Sequence, residues 1–124
     1  MRLSVFGGGS WGTAIAHQLS RRGHDVLLWA LEAEVVDGIN RGHRNPLFLS
    51  DMDLHPGLRA HGDIETVGGF SETWVWVVPV QFSRGVMAQL CGMLRSDVVV
   101  VSSSKGIETS TLMRMDEIAW EVLN

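Results

Sequence analysis

Cysteine occurs once in the 124 residues, and positive charge is outnumbered: ten Lys and Arg against 14 Asp and Glu leave a net charge of −4. A single thiol excludes an internal disulfide framework and fits a reducing cytosol. Cys91 falls in the helical pattern QFSRGVMAQLCGML, so it is expected to be an inert core residue. The acidic balance excludes a general attraction to nucleic acid or acidic membranes, so any anionic ligand must be held by a local site. No stretch approaches the roughly 18 apolar residues of a membrane span. The opening apolar run is too short and too glycine-rich for a signal peptide, and no cleavage site comes after it. His17, His24, His43, His55 and His61 show no metal-ligand spacing and have no partner cysteines. They read as surface or turn residues, and no metal is expected. Internal repeats and low-complexity tracts are missing too. What remains is ordinary globular composition, 45% hydrophobic and 19% charged, at a length suited to one soluble cytoplasmic domain.

Strand-like and helix-like segments alternate. Residues 3–6 read as a strand and 11–22 as a helix with Ile15, Ala16 and Leu19 on one face, ended by Gly23. Residues 25–29, DVLLW, form a second strand, succeeded by a helix over about 32–41. From 42 to 62 the pattern breaks down, with Asn45-Pro46 and His55-Pro56 marking irregular loop. Residues 63–67 suit one or two helical turns. TWVWVV at 73–78 and VVVV at 98–101 are continuous apolar runs, as expected of strands covered on both faces in a parallel sheet. A helix over 81–94 lies between them. A last helix over 109–123 places Leu112, Met115, Ile118, Ala119 and Val122 at helical spacing. This alternation predicts an α/β, Rossmann-like, doubly wound and mainly parallel sheet.

The chemistry centres on MRLSVFGGGSWG, where the first strand opens into Gly7-x-Gly9-x-x-Gly12 ahead of a helix. Gly7 allows the tight turn, Gly9 lets the backbone approach a pyrophosphate, and Gly12 lets the helix pack close. The N–H groups of the first helical turn then face the anion at the positive end of the helix dipole. Glycine spacing alone is a weak signal in a chain with 14 glycines; its place between strand and helix strengthens it. In an open parallel sheet, ligands bind beyond the carboxyl ends of the strands where strand order reverses. With order 3-2-1-4-5, the glycine turn, the loop PVQF at 79–82 and the loop SSSKG at 102–106 sit side by side over one crevice. Lys105 is placed to hold a phosphate or polarise a substrate oxygen. Trp11 either shields the pyrophosphate or covers the helix start, and Phe82 packs beside a cofactor or fills the core.

These residues carry a specific resemblance. FGGGSWGTAIAHQLSRRGHDVLLW, NPLFL, VVPVQF and SSSKGIETSTLMRM, in that order, resemble the amino-terminal half of the bacterial NAD(P)-dependent glycerol-3-phosphate dehydrogenases. The resemblance implies hydride transfer between NAD(P)H and dihydroxyacetone phosphate or sn-glycerol 3-phosphate, a product that feeds glycerophospholipid synthesis. It implies cofactor contacts at Gly7, Gly9, Ser10, Trp11, Gly12, Pro79 and Phe82, and a Lys105 that touches both cofactor and substrate. It extends those contacts to Leu31, Glu32 and Phe48, where this chain departs from the residue types common in the family. Glu32 lies 20 residues beyond Gly12, the usual distance of the carboxylate that accepts from a ribose 2′-hydroxyl. Either NAD or NADP fits the motif; the carboxylate leans toward NAD, unless Arg41 and Arg44 reach back to serve a 2′-phosphate.

The resemblance also implies that residues 1–124 are one partial cofactor-binding domain. The later strands of the sheet and the helical domain that supplies the family's general-base lysine would then lie outside it. No catalytic acid–base group is assigned in this chain, which is expected not to turn over substrate alone. An apolar strand at the sheet edge is expected to favour self-association into a homo-oligomer. Two alternatives stay open: a non-catalytic nucleotide-binding module, and another dehydrogenase of this fold acting on a hydroxy acid.

Overall fold

The computed structural model describes residues 1–95 and 97–123. Its elements run β1 (Arg2–Phe6), α1 (Ser10–Arg21), β2 (Asp25–Trp29), α2 (Ala33–Gly42), β3 (Arg59–His61), α3 (Ile64–Phe70), β4 (Thr73–Trp76), α4 (Val80–Ala88), β5 (Val99–Ser102) and α5 (Met115–Leu123). The five strands form one sheet in the order β3-β2-β1-β4-β5, every pair parallel. This is the expected doubly wound arrangement, with β1 and β4 side by side near its centre. Among the described residues no helix is long and apolar enough to cross a membrane.

Side chains alternate across the sheet and build a core on each face. Leu3 and Val5 of β1 join Val26, Leu28, Ala16, Val35 and Ile39 on one side. Phe6 joins Trp74, Trp76, Met87, Leu90 and Ile118 on the other. Phe6 meets Trp74 edge-on at 5.4 Å between ring centroids and Trp76 at 5.2 Å. Each buried indole N–H has a partner: Trp74 donates to the carbonyls of Gly68 and Ser71, and Trp76 to Ser83 Oγ at 2.9 Å. Paired in this way, the large rings are buried without an orphaned donor.

The structure corrects several expectations. β3 lies inside the stretch that reads as irregular loop. It has three residues and one buried side chain, Ala60, so it carries no readable period, and its pairing with Leu27, Leu28 and Trp29 defines it. The helix expected over 81–94 ends at Ala88, beyond which the chain turns, and Gly92 is at φ 90°. Cys91 is therefore exposed and not a core residue. The helix expected from Thr109 begins only at Met115, because 107–114 fold back on themselves: Ile107 bridges to Arg114, and Leu112 adopts a left-handed φ of 61°. The valines of β5 are not covered on both faces. Val99 and Val101 are 58% and 47% exposed, because β5 is the outermost strand and only its other face meets α4 and α5. His17 is not a surface residue: it is buried on α1, and its Nδ1 accepts from the His55 N–H at 2.9 Å. Burial first, then Arg21 and His55, lower its pKa below the usual imidazole value.

Candidate functional site

The chain leaves β1 through Gly7 at φ +125°, and the Gly7 N–H donates to the Trp29 carbonyl at 3.1 Å. A side chain here would be strained by the backbone angle and would also press on the Val77 carbonyl group, 2.9 Å from an added Cβ. At Gly12 the closeness is sharper: a Cβ would sit 1.9 Å from the Gly7 carbonyl oxygen, so the start of α1 rests directly on the turn. Gly9 differs, since a Cβ there would meet nothing within 4 Å and would project into open space. Gly9 is the N-cap of α1; no side chain caps this end, and the first turn carries no acidic residue. The positive end of a 12-residue helix thus opens beside the one glycine of the motif with room in front of it.

That room is a crevice of about 730 Å³ at the carboxyl ends of β1, β2 and β4. The glycine turn, including Gly7, Gly9, Ser10, Trp11 and Gly12, forms its floor, and Leu31, Glu32, Phe48, Pro79 and Phe82 form its walls. All ten residues expected to line a cofactor site on this side are brought together there. Four of them are large apolar side chains left in the open: Leu31 at 77% exposure, Phe82 at 68%, Trp11 at 61% and Phe48 at 44%. Clustered exposed apolar surface around a polar floor is a ligand-site signature. A second cavity of about 400 Å³ continues from it, sharing Trp11, Val77, Val78 and Pro79, and is lined by Ser103, Ser104 and Lys105. Lys105 therefore stands at the far end of the same trough, across Trp11 and Pro79 from the glycine turn.

Glu32 is the N-cap of α2 and, among the described residues, the only charged one on the larger crevice's walls. Arg41 and Arg44 do not reach back to it: Arg41 pairs with Asp37 at 3.9 Å, and Arg44 with Asp53 at 2.6 Å.

The Lys105 loop is fastened from three directions. Ser103 N–H donates to the Trp76 carbonyl at 2.8 Å, and Ser104 Oγ donates to the Val78 carbonyl at 2.5 Å, anchoring the loop beside β4. Gln81 of α4 donates to the Ile107 carbonyl at 2.7 Å and accepts from Thr109 N–H at 3.0 Å. The Arg84 guanidinium, also on α4, grips the buried Glu108 carboxylate through Nε and Nη2, both at 3.1 Å, and Glu121 of α5 at 2.8 Å. The Thr111 hydroxyl donates to the same carboxylate. Arg84 first, and Thr111 second, hold the Glu108 pKa below the usual carboxylate value, while Glu108 raises that of Arg84.

Sequence reasoning misses three contributors. Gly8 reads as a spacer within the motif, yet a Cβ there would lie 2.5 Å from the Ala30 Cβ. Asn45 reads as half of an Asn-Pro loop signal and as the first residue of NPLFL, with no role assigned to it; it is fully buried and bonded to the Gly8 carbonyl. Arg84 is not marked out at all. The Asn-Pro pair and the NPLFL segment are the available hints for Asn45, and for Arg84 there is none, because its partner lies 24 residues away.

The chain is similar in sequence and in fold to known proteins. The family model described as NAD-dependent glycerol-3-phosphate dehydrogenase N-terminus matches residues 2–124. A glycerol-3-phosphate dehydrogenase [NAD(P)+] of Nitratidesulfovibrio vulgaris strain DP4 is 46% identical over 99% of this chain and 37% of its own length. One of Geobacter sulfurreducens is 46% identical over 98% of this chain and 36% of its own. The solved structure of glycerol-3-phosphate dehydrogenase from Saccharomyces cerevisiae superposes with a TM-score of 0.87 at 27% identity, covering 98% of this chain and 39% of that one. The chain thus spans little more than a third of the length of these relatives.

Proposed function

The chain belongs to the NAD-dependent glycerol-3-phosphate dehydrogenase N-terminus family, and on that premise we propose that residues 1–124 are the dinucleotide-holding part of such an enzyme. The reaction is hydride transfer between NAD(P)H and dihydroxyacetone phosphate or sn-glycerol 3-phosphate, in the cytoplasm and in the service of glycerophospholipid synthesis. One observation carries the reading: the uncapped start of α1 opens at Gly9, where the backbone faces empty space on the floor of the crevice.

The residues fit the group. The N–H groups at the start of α1 hold the diphosphate, with Ser10 and Trp11 beside it and no Cβ intervening at Gly9. Leu31 and Phe48 flank the adenosine end. Glu32 accepts from the ribose 2′-hydroxyl, and with no cation among the described crevice walls to balance a 2′-phosphate the preference is for NAD over NADP. Pro79 and Phe82 exclude water along the opposite wall. When bound, the nicotinamide supplies or accepts the hydride. Lys105 lines the end of the trough, within which its ammonium would neutralise a substrate phosphate or polarise the carbonyl oxygen. Lys105 is assigned positioning and charge stabilisation, and no residue of 1–124 is assigned the proton transfer that carbonyl reduction also needs. The exposed valines of the β5 edge support association with a second copy.

Titration with NADH and with NADPH, monitored by tryptophan fluorescence, tests the reading, because Trp11 and Trp29 both line the crevice. The expected result is quenching by both, with tighter binding of NADH. Gly9→Val should abolish binding yet keep the unfolding temperature close to that of the parent, since an added Cβ meets no protein atom within 4 Å. Unchanged NADH affinity in Gly9→Val would sink the assignment of the diphosphate to this turn.

A further inference from the structure

We propose that Asn45 is a positioning residue that aims the glycine turn at its ligand and ties it to the Phe48 wall. The inference rests on the dinucleotide reading above and deepens it, placing control of the turn in a side chain outside the motif. Asn45 is 0% exposed, and all four hydrogen-bonding positions of its amide are occupied. Nδ2 donates to the Gly8 carbonyl at 2.8 Å and to Thr13 Oγ1 at 2.9 Å. Oδ1 accepts from the N–H groups of Leu47 at 3.2 Å and Phe48 at 3.1 Å. The partners fix which end is which, because a carbonyl can only accept and a backbone N–H can only donate.

Peptide geometry converts this grip into direction. The described peptide bonds are trans, and in a trans unit C=O and N–H point opposite ways. Holding the Gly8 oxygen on the buried side, toward Asn45 and Thr13, turns the Gly9 N–H the opposite way, and Gly9 is exposed where Gly8 is buried. The three-glycine run has few intrinsic restraints on its peptide planes. Without the Asn45 contact, the turn would spend binding free energy on orienting amides that the folded chain now holds ready. The same amide grips the Phe48 backbone, so floor and wall share one anchor 37 residues from the turn.

Asn45→Asp separates the two arms: it keeps the oxygen that serves Leu47 and Phe48, loses both N–H donors, and sets a negative charge against the Gly8 carbonyl. In the ¹⁵N-labelled 124-residue chain, the amide resonances of Gly9, Ser10 and Trp11 should shift on adding NADH. In Asn45→Asp that pattern should be lost and NADH affinity should fall at least about tenfold. A role confined to stability would lower the unfolding midpoint but leave affinity and amide pattern at parental values in the folded protein; that outcome overturns the inference alone. If Asn45→Asp does not fold, Thr13→Val decides: it removes the hydroxyl that accepts from Asn45 Nδ2 and donates to the Gly8 carbonyl, so the Asn45 grip on the turn is loosened; a roughly threefold or larger loss of affinity is expected, parental affinity being the overturning result. Amides of Gly9, Ser10 and Trp11 that ignore NADH in the parent would overturn the dinucleotide reading, and this inference with it.

Discussion

The two ends of the trough are held by different physics. At the glycine end the contacts are neutral and buried: Gly12 rests on the Gly7 carbonyl, and Asn45 and Thr13 bond to the turn beneath central strands. At the Lys105 end the loop leaves an edge strand whose valines face solvent, and it is fastened by an ion pair between Arg84 and Glu108 with further ties to Glu121 and Gln81. The difference comes from position in the sheet. A central strand has neighbours on both sides, so close packing and buried neutral hydrogen bonds together restrain the turn at its end. An edge strand lacks half of those contacts, and charge-assisted bonds to neighbouring helices make up the deficit. Backbone sterics should therefore dominate one end, and electrostatics should be measurable at the other.

The sharpest way to break this contrast is Gly12→Ala. Its Cβ would overlap a backbone oxygen at 1.9 Å, which cannot yield without moving the turn. Chemical denaturation should show a loss of about 3 kcal/mol or more, with NADH binding gone and little dependence on salt. A near-parental stability would mean that the glycine end is not set by close packing. A smaller effect is expected at the other end from Glu108→Gln, which leaves the Arg84 guanidinium without its buried counter-charge. Hydrogen exchange should quicken across residues 103–111 and stay at parental rates in residues 8–13; equal quickening in both would erase the distinction.

Smallest is the response to acid, which comes from Glu108 at the Lys105 end and from His17 on α1, away from both cavities. The folded-state pKa of Glu108 is lowered, so its contribution is complete above the unfolded-state value and fades as pH falls through the folded one, in the acid range below 4.5. His17 is also lowered, so the neutral ring that accepts from His55 is favoured by folding, and stability begins to fall at higher pH, as the solution drops below 6.5. Thermal unfolding against pH should show the earlier loss disappearing in His17→Asn, which offers an acceptor and cannot titrate. Persistence of that loss in His17→Asn would remove His17 as its source.

Much of this is legible in the residues. Strand–helix alternation predicts the doubly wound sheet, and the motif and resemblance together mark the glycine turn, Ser10, Trp11, Glu32, Phe48, Pro79 and Phe82, which the fold gathers into one crevice. Short or mixed elements are not legible. β3 carries too few apolar residues to show a period, and 109–114 has helix-compatible residues that Gln81 and Arg84 hold in a different path through Thr109 and Glu108. Cys91 and the β5 valines mislead for one reason: apolar character suggests burial, whereas depth depends on how many layers cover a position.

What the sequence by itself determined is whatever acts within a few residues: the turn at Gly7, the helix that starts after Gly9, and the strands rich in β-branched and aromatic side chains. Those preferences are set by backbone sterics and local hydrogen bonding, and they need no partner from elsewhere. Only the tertiary structure decided that Asn45 would bond to Gly8, that Arg84 would find Glu108, and that one face of VVVV would stay uncovered among the described residues. Each of these depends on which strands become neighbours, a choice made by the burial of both faces of the sheet at once and written in no single segment.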